Sequence, residues 1–280
     1  MKKIITAAII IAFVINSNAQ GNDKDFRFGL KIEPSFNWLK PDNAKDFTNG
    51  GLQLGFGVGA ITDFKLGENI WLSTGFSMDF SGAKLDYLDN RNDKDTTGYY
   101  VYDDAILEIS DLAEVDSATY APYLFYQLDK RQYKVNYVNI PLILKMKTNE
   151  IGYLTYYGQF GLLTSIKTKA RATDDVTLSG TVSSLEDLNI DSEVSFMKSA
   201  LSIGGGFEYA ISESSSAFVT VAYNYGFTSI TKKESKHVVD FDESDVLDAT
   251  GNLVADPTFN AYTPQKNIPH AIRLTIGILF

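Results

Sequence analysis

Residues 52–64 read LQLGFGVGAITDF and alternate large apolar side chains with small or polar ones. The apolar face consists of Leu52, Leu54, Phe56, Val58, Ala60 and Phe64. The opposite face consists of Gln53, Gly55, Gly57, Gly59 and Asp63. A repeat of two residues is that of a β-strand, whereas a helix repeats about every 3.6 residues. This segment therefore predicts a strand with one apolar and one polar face.

Seven other segments show the same alternation, which predicts eight strands in all. These further strands are predicted over residues 28–38, 70–80, 138–146, 154–166, 197–209, 219–227 and 272–280. The alternating segments are about 9 to 13 residues long, enough for a tilted strand to cross the hydrocarbon layer of a membrane. Strands of soluble proteins are usually about 5 or 6 residues long. Length therefore favours a membrane protein.

The connections between the predicted strands differ in length in a regular way. Short turns follow the second, fourth and sixth strands, and the other connections are long. In bacterial outer-membrane barrels, short turns face the periplasm and long loops face outside. The predicted fold is therefore all-β: a transmembrane antiparallel up-and-down β-barrel of eight strands with long extracellular loops and both chain ends in the periplasm.

The polar faces indicate which side of the barrel meets lipid. They carry many small residues and a few charges of both signs: Lys31, Lys145, Lys198 and Arg273 against Glu33, Asp63, Asp79 and Glu208. Small residues and compensated charges suit the narrow interior of an eight-stranded barrel, which side chains fill. A soluble barrel of the lipocalin type is the alternative, but its water-facing side would carry more Lys and Glu and fewer Gly. We therefore expect apolar faces in lipid and a filled interior rather than a pore.

Aromatic residues near the ends of the predicted strands are expected at the level of the lipid headgroups. They are Trp38, Trp71, Tyr153, Tyr156, Tyr223 and Tyr225. The last residue, Phe280, resembles the terminal aromatic residue that the barrel-insertion machinery recognises in many outer-membrane proteins. An ordinary strand end is the alternative interpretation.

The first residues have the pattern of an export signal. Two lysines precede an apolar run over residues 4–15, and Ser17-Asn18-Ala19 offers a cleavage site before Gln20. The run is shorter than the roughly 20 residues of a membrane-spanning helix, which disfavours a retained anchor. The chain has no Cys on which a lipoprotein anchor could be built. We therefore predict a signal peptide over residues 1–19 and an outer-membrane β-barrel domain over residues 20–280.

The chain is acidic, with a formal net charge of -10 at pH 7. Nucleic acids and anionic membrane surfaces repel a protein of this charge, so we expect no nucleic-acid partner. The expected partners are the lipid bilayer of the outer membrane and envelope or extracellular proteins that contact the surface loops.

Residues 137–145 read YVNIPLILK and resemble the Y-(L/V)-x-(I/V)-P-L-L-L-K strand of the PorT-like outer-membrane β-barrel family. The resemblance covers the whole mature chain in architecture but only these residues as a motif. It implies an export signal, a location in the cell outer membrane and about eight strands. One branch of the family acts in protein secretion. Pro141 removes a hydrogen bond of the strand ladder, so we expect it on the lumen face and at a bulge.

The longest predicted loop, residues 85–132, is acidic and rich in tyrosine. Its acidic residues are Asp86, Asp89, Asp93, Asp95, Asp103, Asp104, Glu108, Asp111, Glu114, Asp116 and Asp129. Its tyrosines are Tyr87, Tyr99, Tyr100, Tyr102, Tyr120, Tyr123 and Tyr126. Tyrosine suits molecular recognition because it offers contact area at low entropic cost, whereas acidic residues also keep a loop soluble. Both a recognition loop and a solvated loop fit this composition.

Two acidic segments resemble parts of calcium-binding loops. Residues 93–98 read DKDTTG and residues 240–245 read DFDESD. Both lack the later Glu that binds calcium through two oxygens in an EF-hand. Divalent-ion binding stays an alternative, but we assign no metal-binding residue and expect no cofactor.

The chain offers little for catalysis. Its two histidines are His237, in a charged loop, and His270, at the entry to the last strand. A hydrolase site centred on His270 at the outer rim of the barrel is the enzymatic alternative. No Gly-x-Ser-x-Gly elbow, phosphate loop or zinc-ligand spacing occurs. We therefore assign no catalytic or cofactor-binding residue and predict a non-enzymatic outer-membrane barrel whose surface loops make interactions. The alternative is a component of a protein-secretion or surface-assembly apparatus.

Overall fold

Eight antiparallel strands close into a ring in the computed structural model, which describes residues 25–42, 47–87, 95–102, 105–108, 124–178, 180–232, 237–242, 260–261 and 266–280. The strands are β1 (Phe26–Pro41), β2 (Gln53–Lys65), β3 (Ile70–Tyr87), β4 (Leu124–Lys147), β5 (Leu154–Leu178), β6 (Met197–Ala210), β7 (Ser216–Gly226) and β8 (Asn267–Leu279). Each pairs with its neighbour in the chain, and β8 pairs with β1. The predicted up-and-down barrel of eight strands is confirmed. No helix in the described residues is long and apolar enough to cross a membrane.

The two faces of the strands have the polarity that the sequence predicts. On the outer face, Leu30 and Leu54 are 66% and 77% exposed. The inward face carries buried charged residues, among them Lys31, Glu33, Asp63, Asp79 and Glu208. Because a bilayer offers no water to the backbone, strands cross it only as a closed ladder with an apolar exterior. The exposed apolar band is therefore the lipid-facing surface.

Two strands are much longer than the sequence pattern predicts. β4 and β5 contain 24 and 25 residues, whereas the pattern predicts strands over 138–146 and 154–166. Above the lipid-facing band the polarity of the faces inverts. Lys134 of β4 is exposed on the outer side, whereas Tyr133 and Val135 point inward and are buried. The upper parts of these strands therefore extend the barrel beyond the membrane.

A bulge in β5 accompanies this inversion. Tyr137 pairs with Lys167, whereas Asn136 pairs with Lys169, so Thr168 is an extra residue in β5. Inward positions of β5 consequently change from odd to even residue numbers. The buried residues on either side show this change: Ser165 below the bulge, and Ala170 and Ala172 above it.

Pro141 lies on the lumen side of β4, as predicted, but the bulge predicted there is wrong. The register between β3 and β4 is the same on both sides of this residue, although pairing is interrupted opposite it. Proline has no N–H to donate, which accounts for the gap in the ladder. The hydroxyl of Thr74 bridges the gap by donating a hydrogen bond to the carbonyl oxygen of Pro141 at 2.8 Å.

Short strands add to the extracellular extension. Asp95–Tyr102 pairs with the outer end of β4, and Val239–Asp242 pairs with Asp95–Tyr102 in turn. Thr181–Asn189 pairs with the outer part of β5. The remaining short strands are Phe47–Asn49, Ala105–Ile106 and Asn260–Ala261. The long extracellular connections therefore contribute further strands above the membrane.

An apolar cluster, here termed the apolar cap, closes the interior above the membrane. It contains Leu39, Ala83, Leu85, Tyr99, Val101, Leu128, Tyr133, Val135, Tyr137, Ala170, Ala172, Val176, Ile190, Val194, Ile230 and Val238. Outside the bilayer the protein meets water, so apolar side chains are stabilised by pointing inward, as in a soluble protein. The interior is thus polar within the membrane and apolar above it.

Replacing Leu142 with Arg tests the membrane boundary. Leu142 is 54% exposed on the lipid face of β4. We expect Leu142→Arg to lower the free energy of unfolding by about 2–4 kcal/mol, because it places a charge in the hydrocarbon layer. Asn136→Arg, on the outer side of the same strand above the apolar band, should change it by less than about 0.5 kcal/mol. Urea unfolding from liposomes measures both, and equal losses would contradict the boundary.

Candidate functional site

Ion pairs cross the lumen near the periplasmic end of the barrel. The Nζ of Lys145 lies 2.9 Å from Oδ2 of Asp63, and the Nζ of Lys147 lies 2.6 Å from Oε1 of Glu208. The Nη2 of Arg27 lies 2.7 Å from Oε2 of Glu208. These side chains come from β1, β2, β4 and β6. The pairs therefore tie the ring together across its interior.

A second group of ion pairs lies further along the lumen. The Nζ of Lys31 lies 2.9 Å from Oε1 of Glu33. The guanidinium of Arg273 lies 3.4 Å from Oε2 of Glu33 and 3.2 Å from Oδ1 of Asp79. Arg273 thus links β8 to β1 and β3. Buried charges of this kind are tolerated because each cation has a carboxylate beside it.

All the interior charges predicted from the sequence point into the lumen. Among the four predicted cations, only Lys198 lacks a carboxylate within 4 Å in the described part of the chain. Its Nζ lies 3.8 Å from the centre of the Tyr137 ring. Arg27 and Lys147 were not predicted. In their strands, Arg27 lies on the same face as Lys31, and Lys147 lies on the same face as Lys145. Both lie just beyond the ends of the alternating segments, so extending each segment would have predicted them.

Side chains leave little free space in the lumen. Two cavities among the described inward residues have volumes of about 50 Å³ each. Gly206 illustrates the close packing, because a Cβ atom there would lie 2.1 Å from the carbonyl oxygen of Val219 and 2.8 Å from Oη of Tyr157. These dimensions agree with the filled interior that is expected of eight strands.

A buried ion-pair cluster lies in the apolar cap. Arg131 of β4 binds both carboxylate oxygens of Asp174 in β5, with Nη2 2.6 Å from Oδ2 and Nε 2.9 Å from Oδ1. Its Nη1 lies 2.7 Å from Oε2 of Glu193. Burial lowers the pKa of Arg131, but the carboxylates of Asp174 and Glu193 outweigh this and hold that pKa well above its ordinary value. The cluster therefore cross-links two barrel strands to a loop.

The turn that carries Glu193 is fixed at several points. The Nζ of Lys167 donates hydrogen bonds to the carbonyl oxygens of Asp191 at 2.5 Å and Val194 at 2.9 Å. The carboxylate of Asp191 accepts a hydrogen bond from the N–H of Ala170 at 2.6 Å. Val194 packs into the apolar cap. This turn is therefore part of the rigid extracellular structure.

Two tyrosines of the acidic, tyrosine-rich loop are buried, and two others, Tyr87 and Tyr126, are half-buried. Tyr99 and Tyr100 are 1% and 3% exposed, and the ring centres of Tyr99 and Tyr126 lie 6.4 Å apart. Burial raises the pKa of the Tyr99 hydroxyl well above its ordinary range. These tyrosines stabilise the interior, which corrects the recognition interpretation for them. Residues 88–94, 103–104 and 109–123 lie outside the described residues.

The extracellular extension has an exposed edge at Thr181–Asn189, here termed the edge strand. It pairs with β5 on one side and, within the described residues, with no strand on the other. Its first four residues are exposed, and Val182 is 69% exposed. Asp187 has a φ angle of 54°, and the register with β5 shifts beside it. Among the described residues, no strand pairs with the outward N–H and C=O groups before this bulge, so they can pair with an added strand.

The two segments that resemble calcium loops form a strand pair instead. Asp95 lies opposite Asp242 in the ladder between Asp95–Tyr102 and Val239–Asp242. An extended strand does not wrap around an ion as a calcium loop does. Residues 93–94 and 243–245 lie outside the described residues. No group of three potential metal ligands occurs among those that are described.

His270 lies on the outer face of β8 among aromatic rings. Its Nδ1 lies 2.7 Å from the hydroxyl of Tyr223, and the rings of Trp38 and Tyr225 pack around it at 5.8 Å and 5.1 Å. No Ser hydroxyl or carboxylate contacts it within the described ranges, so the nucleophile of a hydrolase is not beside it. The Nδ1 of His237 lies 3.3 Å from a backbone carbonyl oxygen.

One aromatic residue expected at headgroup level points into the lumen instead. The centre of the Trp71 ring lies 4.8 Å from the guanidinium of Arg27 and 4.4 Å from the Nζ of Lys147. Its odd residue number places it on the polar face of β3. By contrast, Tyr153 and Tyr156 are exposed on the outside, as predicted.

The closed ring and its lipid-facing band define a transmembrane β-barrel protein. Residues 18–232 match the family model described as outer membrane protein beta-barrel domain. The chain belongs to this family, and its location is the outer membrane. None of the curated proteins shows significant sequence similarity to it.

Several solved outer-membrane barrels resemble this chain at low identity. Neisserial surface protein A is 11% identical over 90% of this chain and 95% of its own, with a TM-score of 0.35. OprG from Pseudomonas aeruginosa is 11% identical over 91% of this chain and 93% of its own, with a TM-score of 0.42. The protease OmpT from Escherichia coli is 8% identical over 94% and 99%, with a TM-score of 0.32. Likenesses this low carry no argument about function.

Replacing Arg131 with Met tests the ion-pair cluster. We expect Arg131→Met to destabilise the extracellular extension by about 3–5 kcal/mol, because it leaves Asp174 and Glu193 buried without their cation. Replacing both acids with Leu in the same variant should restore most of the loss. Amide hydrogen exchange over residues 124–136 and 169–178 measures the local stability. Unchanged protection in Arg131→Met would contradict the assigned role.

Proposed function

We propose that this protein is a non-enzymatic surface-recognition barrel, which binds an extended segment of another protein along its edge strand. The exposed edge of Thr181–Asn189 carries this proposal. An unpaired edge offers a row of backbone donors and acceptors to an incoming strand, and backbone hydrogen bonds then supply affinity. The acidic Tyr-rich loop is no longer the main candidate, since Tyr99 and Tyr100 are buried.

The edge strand is firmly held on its inner side. Leu185 and Leu188 pack against the apolar cap. The adjacent strand β5 is fixed by the Arg131 cluster through Asp174. A preorganised edge loses little conformational entropy when a partner strand is added. The rigid cap therefore presents the edge strand in a binding-competent form.

The side chains of the edge strand indicate the chemistry of its partner. Residues 181–184 read TVSS, and exposed acidic residues follow at Glu186 and Asp187. Like charges that face each other across two strands are destabilising, whereas β-branched pairs are stabilising. The partner segment therefore carries β-branched or hydroxyl side chains and lacks acidic residues opposite Glu186.

A secretion or surface-assembly component is the second candidate, favoured by the YVNIPLILK motif. Two residues of this motif point into the barrel interior. Lys145 pairs there with Asp63, and the ring of Tyr137 lies against Lys198. The motif therefore supports membership of a barrel family more than a secretion role. The identity of the bound protein separates the two candidates.

Proline substitutions in the edge strand test strand addition. The N–H groups of neighbouring residues in a strand point to opposite edges. Of Ser183 and Ser184, one therefore has its N–H on the open edge, and replacing that residue with Pro removes an outward donor. A photo-crosslinking residue at Val182 should capture one protein on intact cells, and one of these Pro variants should lower that capture at least tenfold, about 1.4 kcal/mol. Ser183→Ala and Ser184→Ala are the matched controls and should leave capture unchanged.

Two outcomes of the crosslinking experiment are decisive. Capture that persists in both Pro variants, with the barrel still folded on gels, would refute binding along this edge. A captured protein of the secretion apparatus would favour the second candidate, whereas another envelope or extracellular protein would favour the first.

We also propose that residues 1–19 are an export signal, which rests on the sequence pattern because residues 1–24 lie outside the described residues. Mass spectrometry of protein purified from outer membranes should find an N-terminus at Gln20. Replacing Ala19 with Gln should leave uncleaved precursor, since signal peptidase requires a small residue before the cut. A mature N-terminus beyond Phe26 would contradict the assignment, because β1 begins there.

A further inference from the structure

A cavity of about 50 Å³ lies inside the barrel where the polar lumen meets the apolar cap. Tyr133, Val135 and Ile230 line it from the cap, and the polar side includes Ser165, Lys198 and Arg273. Two cations therefore face this space, and its lining contains no carboxylate. Cations in such a cavity need hydrogen-bond acceptors, which a bound anion or ordered water can supply.

Lys198 is the cation whose charge is least compensated. Its Nζ lies 3.8 Å from the centre of the Tyr137 ring, and no carboxylate lies within 4 Å of it among the described residues. The contact with the ring offsets part of the cost of burying an ammonium group. Arg273 already shares its charge with Glu33 and Asp79. The carboxylate of Asp79 also attracts the Lys198 ammonium, but it lies more than 4 Å away and pairs with Arg273. The ammonium of Lys198 therefore has capacity for a further anionic partner.

The charge balance of the whole lumen leads to the same conclusion. Inward cations in the membrane part of the barrel are Arg27, Lys31, Lys145, Lys147, Lys198 and Arg273. The inward carboxylates are Glu33, Asp63, Asp79 and Glu208. Among these named residues, cations thus exceed carboxylates by two. An uncompensated charge in a sealed interior is costly, and a bound anion removes part of that cost.

We propose that this cavity binds one small inorganic anion, for which bromide serves as the probe, with the ammonium of Lys198 as its main partner. The hydroxyl of Ser165, which is 2% exposed, is a second donor on the same wall. Asn224 also lines the cavity, and its Oδ1 is buried without a hydrogen-bond partner in the described structure. A half-turn of this amide brings its Nδ2 to the anion.

The size of the cavity limits the anion. A water molecule needs only about 10–15 Å³ of cavity volume, so the cavity has room for one small inorganic anion together with ordered water. The apolar cap lines the outer side of the cavity through Tyr133, Val135 and Ile230. This site is independent of the edge strand, because it lies within the barrel interior.

Bromide provides a direct probe of the site. The full-length mature barrel is refolded and crystallised in sodium bromide, and anomalous diffraction is recorded at the bromine absorption edge. We expect one anomalous peak within the cavity, beside the Nζ of Lys198 and the Oγ of Ser165. The peak should be lost in Lys198→Met and retained in Lys134→Met, which removes an exposed lysine outside the lumen. Water in the cavity without an anomalous signal, as expected around an uncharged lysine, would overturn the proposal.

A solution measurement covers the case in which Lys198→Met fails to fold. Lys198→Gln keeps a polar side chain but loses the charge. At constant ionic strength, exchanging gluconate for bromide should raise the urea midpoint of the unaltered protein in proportion to the logarithm of the bromide concentration. Lys198→Gln should lose this dependence, and Lys134→Gln should keep it. An equal dependence in all three proteins, or none in the unaltered protein, would overturn the proposal.

Discussion

The closed hydrogen-bond ladder is the constraint on which the rest of this structure depends. Inside a bilayer no water satisfies backbone N–H and C=O groups, so the eight strands must pair around a complete ring, with β8 against β1. Closure forces every second side chain into a narrow interior. Most of the charges there lie in ion pairs such as Lys145 with Asp63, which offset the cost of burying them. Closure of the ring therefore accounts both for the apolar face toward lipid and for the ion pairs in the lumen.

Where the strands leave the membrane, the polarity of the two faces of the ring is reversed. Water now surrounds the outer face, so Tyr133 and Val135 turn inward and Lys134 outward. The extra residue Thr168 adjusts β5 at this level. The resulting apolar cap closes the barrel and supports the edge strand. The supported edge strand and the apolar interior above the membrane are therefore two consequences of one change of solvent.

The sequence predicts the membrane part of the fold well, because a two-residue alternation directly reflects lipid on one side and the lumen on the other. It underestimates β4 and β5, since the alternation changes sign where the solvent changes. The Arg131 cluster could not be predicted, because Asp174 and Glu193 reach it from separate elements far along the chain. Tyr99 was misjudged for a related reason: its burial depends on tertiary contacts such as Tyr126.

The central claim is that ion pairs and an apolar cap close the interior of this barrel. Single-channel recording of the purified protein in planar lipid bilayers tests it most directly. The structure predicts insertion without channel-sized conductance steps, because its interior cavities have volumes of only about 50 Å³. Stable steps of porin-like size from the folded, unaltered protein would contradict it.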